Sequence, residues 1–102
     1  MTGHVDLATA QALERAGYER LEGEAAYLTL VNGVIVRHAE PTILEALMWL
    51  EREKGWGWWR QQESSKRAVP ETWFATPIDK AAPLLKALTP EALLAALLER
   101  LP

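Results

Sequence analysis

Ala26-Tyr27-Leu28-Thr29-Leu30-Val31, Asn32-Gly33 and Val34-Ile35-Val36-Arg37-His38-Ala39 follow one another without a break. Two runs rich in β-branched and aromatic residues flank an Asn-Gly pair, which supplies the two positive φ angles of a type I′ turn. The stretch predicts a β-hairpin with a two-residue loop. That loop sets the register. Val31 faces Val34, Thr29 faces Val36 and Tyr27 faces His38 on one side; Leu30 faces Ile35, Leu28 faces Arg37 and Ala26 faces Ala39 on the other. Both sides are apolar near the turn. A hairpin with one wet side alternates apolar and polar residues, so this tip is expected to be covered on both sides within the chain or to meet a second chain.

Upstream, Asp6 can cap a helix over about residues 7–16, closed by Gly17. Its two long apolar side chains, Leu7 and Leu13, lie on different sides, so the helix is expected to be peripheral and to pack through alanine. Downstream, Pro41 blocks backward continuation, Thr42 and Glu45 form a capping box, and Gly55 stands at a C-terminal cap position. These marks predict a second helix over residues 42–54. Ile43, Ala46, Leu47 and Leu50 form its core stripe, and Trp49 projects from the opposite side.

All five tryptophans fall between Trp49 and Trp73. Each indole carries a large apolar surface and one N–H that wants an acceptor when buried, so the cluster must fill a core or make an adhesive surface. Trp56-Gly57-Trp58-Trp59-Arg60 and Trp73-Phe74-Ala75 predict a second, longer-looped hairpin. Trp56, Trp58 and Arg60 then share one face, Trp59 takes the other, and Pro70 consigns the second strand to an edge or to its start. Thr76-Pro77-Ile78-Asp79 reads as a capped helix start interrupted by Pro83, and Thr89-Pro90 as the start of a final helix carrying a stripe of Leu93, Leu94, Leu97, Leu98 and Leu101. That stripe faces a core or a second chain.

The order α-ββ-α-ββ-α argues for one α+β domain over residues 1–102, with residues 1–5 loose. About four antiparallel strands form two hairpins, with three to four helices packed mainly on one face. The run Glu45-Ala-Leu-Met-Trp-Leu-Glu-Arg-Glu-Lys-Gly-Trp-Gly-Trp-Trp-Arg60, followed by the Thr89-Pro-Glu-Ala-Leu-Leu-Ala-Ala-Leu-Leu98 helix, resembles short α+β proteins of unknown function encoded by phages and prophage-like elements. The resemblance covers about half the chain. It brings no assigned activity, so it transfers no functional residue. Ala and Leu each occur 16 times against a single Asn, a skew that fits GC-rich coding DNA and a bacterial or phage origin.

With no cysteine, the chain has no disulfide, thiolate nucleophile or cysteine-based metal site, which is compatible with the cytoplasm. The first residues lack the features of a signal peptide, and no apolar run is long enough to span a bilayer. His4 and His38 make no spaced metal-binding pair, cross-strand packing accounts for His38, and no carboxylate pair or nucleotide-binding glycine motif can be placed. The expectation is therefore no catalytic residue, no metal and no cofactor.

Net charge is −3, but residues 1–51 carry three basic against eight acidic side chains, while residues 52–67 carry five against two. Two readings follow. The first is a non-catalytic protein that self-associates as a homodimer or binds another protein, with Leu30, Val31, Val34, Ile35, Val36, Trp49, Trp56 and Trp59 as interface candidates. The second is a single-stranded nucleic-acid module using Trp56, Trp58, Arg60, Lys66 and Arg67. The acidic balance favours the first. A third, minor reading is a small-molecule or carbohydrate pocket lined by Trp59 and Trp73.

Overall fold

The computed structural model describes residues 3–19, 25–66, 68–78 and 84–101. Among them, three helices, α1 (Leu7–Arg15), α2 (Ile43–Lys54) and α3 (Pro90–Arg100), accompany five strands, β1 (Ala26–Val31), β2 (Val34–Ala39), β3 (Trp56–Gln61), β4 (Thr72–Pro77) and β5 (Leu85–Ala87). The architecture is α+β with two antiparallel sheets, one of β1 and β2 and one ordered β3-β4-β5. No helix among the described residues is long and apolar enough to cross a membrane.

Local chemistry places most of these elements. Asn32 and Gly33 adopt positive φ, and the first hairpin pairs in the register that its two-residue loop requires, from Val31 with Val34 to Ala26 with Ala39. The Asp6 carboxylate accepts the Thr9 amide at 2.8 Å and starts α1. Hydrogen bonds from the Thr9 side chain and backbone hold that carboxyl below its ordinary pKa. In α2 the Thr42 hydroxyl accepts the Glu45 amide, while the Glu45 carboxylate accepts the Thr42 amide and is itself held below the usual range by that bond. Gly55 closes α2 at φ 70°, a conformation costly to any residue with a Cβ.

Two expectations are corrected in the C-terminal part. Thr76-Pro77-Ile78 does not start a helix: Thr76 and Pro77 end β4 opposite Gly57 and Trp56, so cross-strand pairing overrides the local capping signal. Asp79 and Pro83 lie outside the described residues. The second sheet also has a third strand, because Leu85–Ala87 pairs with Ala75, Phe74 and Trp73. A three-residue strand in a leucine-rich segment is too short to show alternation.

Helices α2 and α3 pack on one face of the three-stranded sheet. Trp73, Ala75 and Leu85 from that face meet Ala46, Leu47 and Leu50 of α2 and Leu93, Leu94 and Leu97 of α3. The leucine stripe of α3 is thus core, with those three residues fully buried, and offers no free dimerisation face. Nor is α1 peripheral: it buries Ala10 and Leu13 by packing against α3 and β2. The start of the chain is also held. The Val5 amide donates to Pro41, the Ile43 amide donates to Gly3, and the Val5 side chain is buried, so residues 3–5 are pinned rather than loose.

Candidate functional site

The first hairpin has a fixed base and an open tip. At the base, the Tyr27 hydroxyl donates to the Val5 carbonyl at 2.6 Å. Burial, then the nearby Glu40 and Asp6 carboxylates, push the Tyr27 phenol above its ordinary pKa, so it stays a donor. One strand-pitch further, Thr29 Oγ1 lies 2.8 Å from His38 Nε2, and His38 Nδ1 lies 2.6 Å from Glu14 Oε2 on α1. The two imidazole nitrogens are thus both engaged, Nδ1 with the Glu14 carboxylate and Nε2 with the Thr29 hydroxyl. A hydroxyl–imidazole–carboxylate row also occurs in nucleophilic hydrolases. Here the row couples the two strands of the hairpin to helix α1.

Beyond that row the hairpin leaves the body. Leu28, Leu30, Val31, Val34 and Ile35 are 51–73% exposed, on both sides of the hairpin, and no charged residue occurs from Ala25 to Val36. The radius of gyration is 15.3 Å and the extents are 55 × 30 × 21 Å. A compact chain of this length has a radius near ~13 Å. The excess fits a hairpin that packs on the remainder mainly through α1.

The structure therefore leaves Leu28, Leu30 and Ile35 exposed on one face of the tip and Val31 and Val34 on the other, with Val36 half-buried at the margin of the second. It does not join them to the tryptophans. Trp49 is half-buried on α2, meeting Tyr18 edge-on at 5.2 Å with the Lys54 ammonium 5.7 Å from its centre. Trp56 and Trp58 are half-buried against the core, and Trp58 stacks on Trp73 at 6.0 Å. Neither the Trp58 nor the Trp73 indole N–H meets a protein acceptor among the described residues. Trp59, 45% exposed, stacks on Phe74 at 5.3 Å on the opposite face of that sheet. Trp59 and Trp73 lie on opposite faces and cannot line one pocket.

The basic segment is equally dispersed. Arg60 contacts Glu71 at 3.2 Å and lies 5.9 Å from the Trp73 ring centre, so its charge is matched within the chain. Lys66 is exposed in a turn, and Arg67 lies outside the described residues. An open cleft of about 640 Å³ runs beside α2, lined by Tyr18, Glu45, Met48, Trp49, Arg52 and Glu53. Two of its charged side chains, Arg52 and Glu53, pair at 3.2 Å. Among the described residues no three His, Asp or Glu side chains converge as metal ligands.

Sequence reasoning missed the Glu14–His38–Thr29 row. Thr29 and His38 sit on the same hairpin face, which was legible, but nothing in the chain announced that α1 packs on that face. The chain matches no protein-family model, and comparisons with curated proteins and with solved structures find no relative.

Proposed function

We propose that this is a small, non-catalytic protein of bacterial or phage type that acts by self-association, forming a homodimer through the tip of the β1–β2 hairpin. The observation that carries the reading is the five-residue aliphatic patch exposed on both sides of a projecting, charge-free hairpin. Side chains of these sizes and exposures present roughly 500 Å² of apolar surface, at the upper end for the largest patch of an ordinary monomer. Two copies that covered both faces of each tip would bury roughly 1,000 Å² together, the lower bound of a specific interface. A second copy suits this patch because a charge-free surface meets its own image without like-charge repulsion.

The nucleic-acid reading has less support. Trp56 and Trp58 are turned toward the core, Arg60 is paired with Glu71, and the chain is acidic overall. Stacking platforms for single strands combine accessible rings with a positive groove.

Light scattering during size-exclusion chromatography tests the proposal. At high micromolar concentration the expected mass is twice the 11.4 kDa of the chain. A monomeric mass under those conditions removes it.

A further inference from the structure

We infer that the second copy joins along the outer edge of β1, antiparallel, about a two-fold axis at Thr29, so that two hairpins make one four-stranded sheet. This rests on the self-association reading above and specifies its geometry.

In a hairpin with a two-residue loop the pair flanking the loop exchanges both hydrogen bonds, and every second pair does so thereafter. Val31 and Val34, Thr29 and Val36, and Tyr27 and His38 are therefore the bonded pairs. The Glu40 amide donating to the Ala25 carbonyl at 3.3 Å continues the series. The peptide groups of Ala26, Leu28 and Leu30 consequently point outward from β1, and those of Ile35, Arg37 and Ala39 outward from β2. Among the described residues the sheet has two strands, and neither outer edge is paired with a further strand. An apolar edge of this kind is a template for another strand.

Charge and packing distinguish the two edges. Strand β2 carries Arg37 and is held against α1 at its base through His38 and Glu14. A two-fold joint along β2 brings two guanidinium groups close together, and the hairpin itself carries no carboxylate from Ala25 to Ala39 to neutralise them. Strand β1 carries no charge, so a joint along it meets no such repulsion.

Exposure then chooses the register. Outward-pointing residues must face outward-pointing residues across the joint. A two-fold at Thr29 sets Leu28 opposite the partner's Leu30 and Leu30 opposite the partner's Leu28, on the face that also carries Ile35. All three residues are exposed in the single protomer. Moving the axis to Leu28 sets Leu30 against Ala26, which is half-buried beside the packed base. The Thr29 register makes about four new backbone hydrogen bonds and brings four leucine side chains together.

Amide hydrogen exchange on the unmodified chain reads the edge directly. In the dimer the Leu28 and Leu30 amides are expected to exchange at least ten-fold more slowly than after dilution to the monomer, while those of Ile35 and Arg37 are unchanged. Register is read by cross-linking, which is clean because the chain has no cysteine. An oxidised mixture of L28C and L30C proteins is expected to give a disulfide-linked heterodimer, with little product from L28C alone. Protection at Ile35 and Arg37 instead, or ready cross-linking of L28C alone, overturns the proposed joint. A dimer with neither edge protected places the contact elsewhere and leaves self-association standing, whereas a monomeric mass ends both.

Discussion

Glu14 Oε2 on α1 and His38 Nδ1 on β2 lie 2.6 Å apart, and they are the described side chains that tie the first hairpin to the first helix by a charge-assisted hydrogen bond. The buried imidazole passes the connection to Thr29 across the hairpin. The base of the hairpin is thereby oriented, while the residues beyond Thr29 remain open.

Loss of the imidazole should release this coupling. His38→Ala leaves the Thr29 hydroxyl and the Glu14 carboxylate without their shared partner, and is expected to lower stability by about 1–3 kcal/mol in urea denaturation. Glu14→Gln should cost less than Glu14→Ala, because the amide oxygen still accepts from Nδ1. Equal costs for these two variants would show that the bond does not hold the hairpin.

Charge placed on the tip should separate association from folding. Leu30→Glu and Ile35→Glu expose a carboxylate where the protomer already meets water, so each is expected to change monomer stability by less than about 0.5 kcal/mol. Across the β1 joint Leu30→Glu sets like charges on adjacent strands, and light scattering should report monomer for that variant where the parent chain is dimeric, while Ile35→Glu on β2 tests the rest of the tip. A dimer that survives both substitutions excludes the tip as its interface.

Acid should weaken α1 through its cap. The folded-state pKa of Asp6 is lowered, so its contribution is present above the ordinary carboxylate range and is lost as pH falls through the lowered value. Asp6→Ala is expected to cost about 1 kcal/mol at pH 7. The difference from the parent chain should shrink as pH falls and the carboxyl protonates, as read from denaturation midpoints. A gap that stays constant with pH would assign the effect to something other than the ionised cap.

The tryptophans should divide by face. Iodide is expected to quench the parent chain mainly through Trp59, so Trp59→Phe should remove most of the quenchable emission while Trp73→Phe leaves it. Replacing Trp73 by Phe also deletes an indole N–H that is buried without an acceptor among the described residues, which offsets part of the lost ring area. Its cost should be well below the roughly 3–5 kcal/mol expected for Trp73→Ala. Comparable losses for the two variants would mean that the N–H does find an acceptor.

Local rules made much of this chain legible. Asn32-Gly33 determined the turn and the pairing of all its neighbours, because only a two-residue loop with two positive φ angles closes such a hairpin. The capping residues Asp6, Thr42 and Thr89 located three helix starts, because each offers an oxygen to an otherwise unpaired amide. The division of Trp56, Trp58 and Arg60 from Trp59 followed from strand alternation. What needed the third dimension was the choice among competing burials. Thr76-Pro77 could cap a helix or finish a strand, and the partner across from it, Trp56, decided. The α3 leucines could face a core or a second chain, and the sheet face bearing Trp73 and Ala75 took them. Glu14 met His38 because α1 packs on the hairpin, and the same packing ended at Thr29 and left Leu28, Leu30 and Ile35 in water. Turns and caps depend on neighbours a few residues apart, whereas burial depends on which distant surfaces meet, and no local pattern carries that.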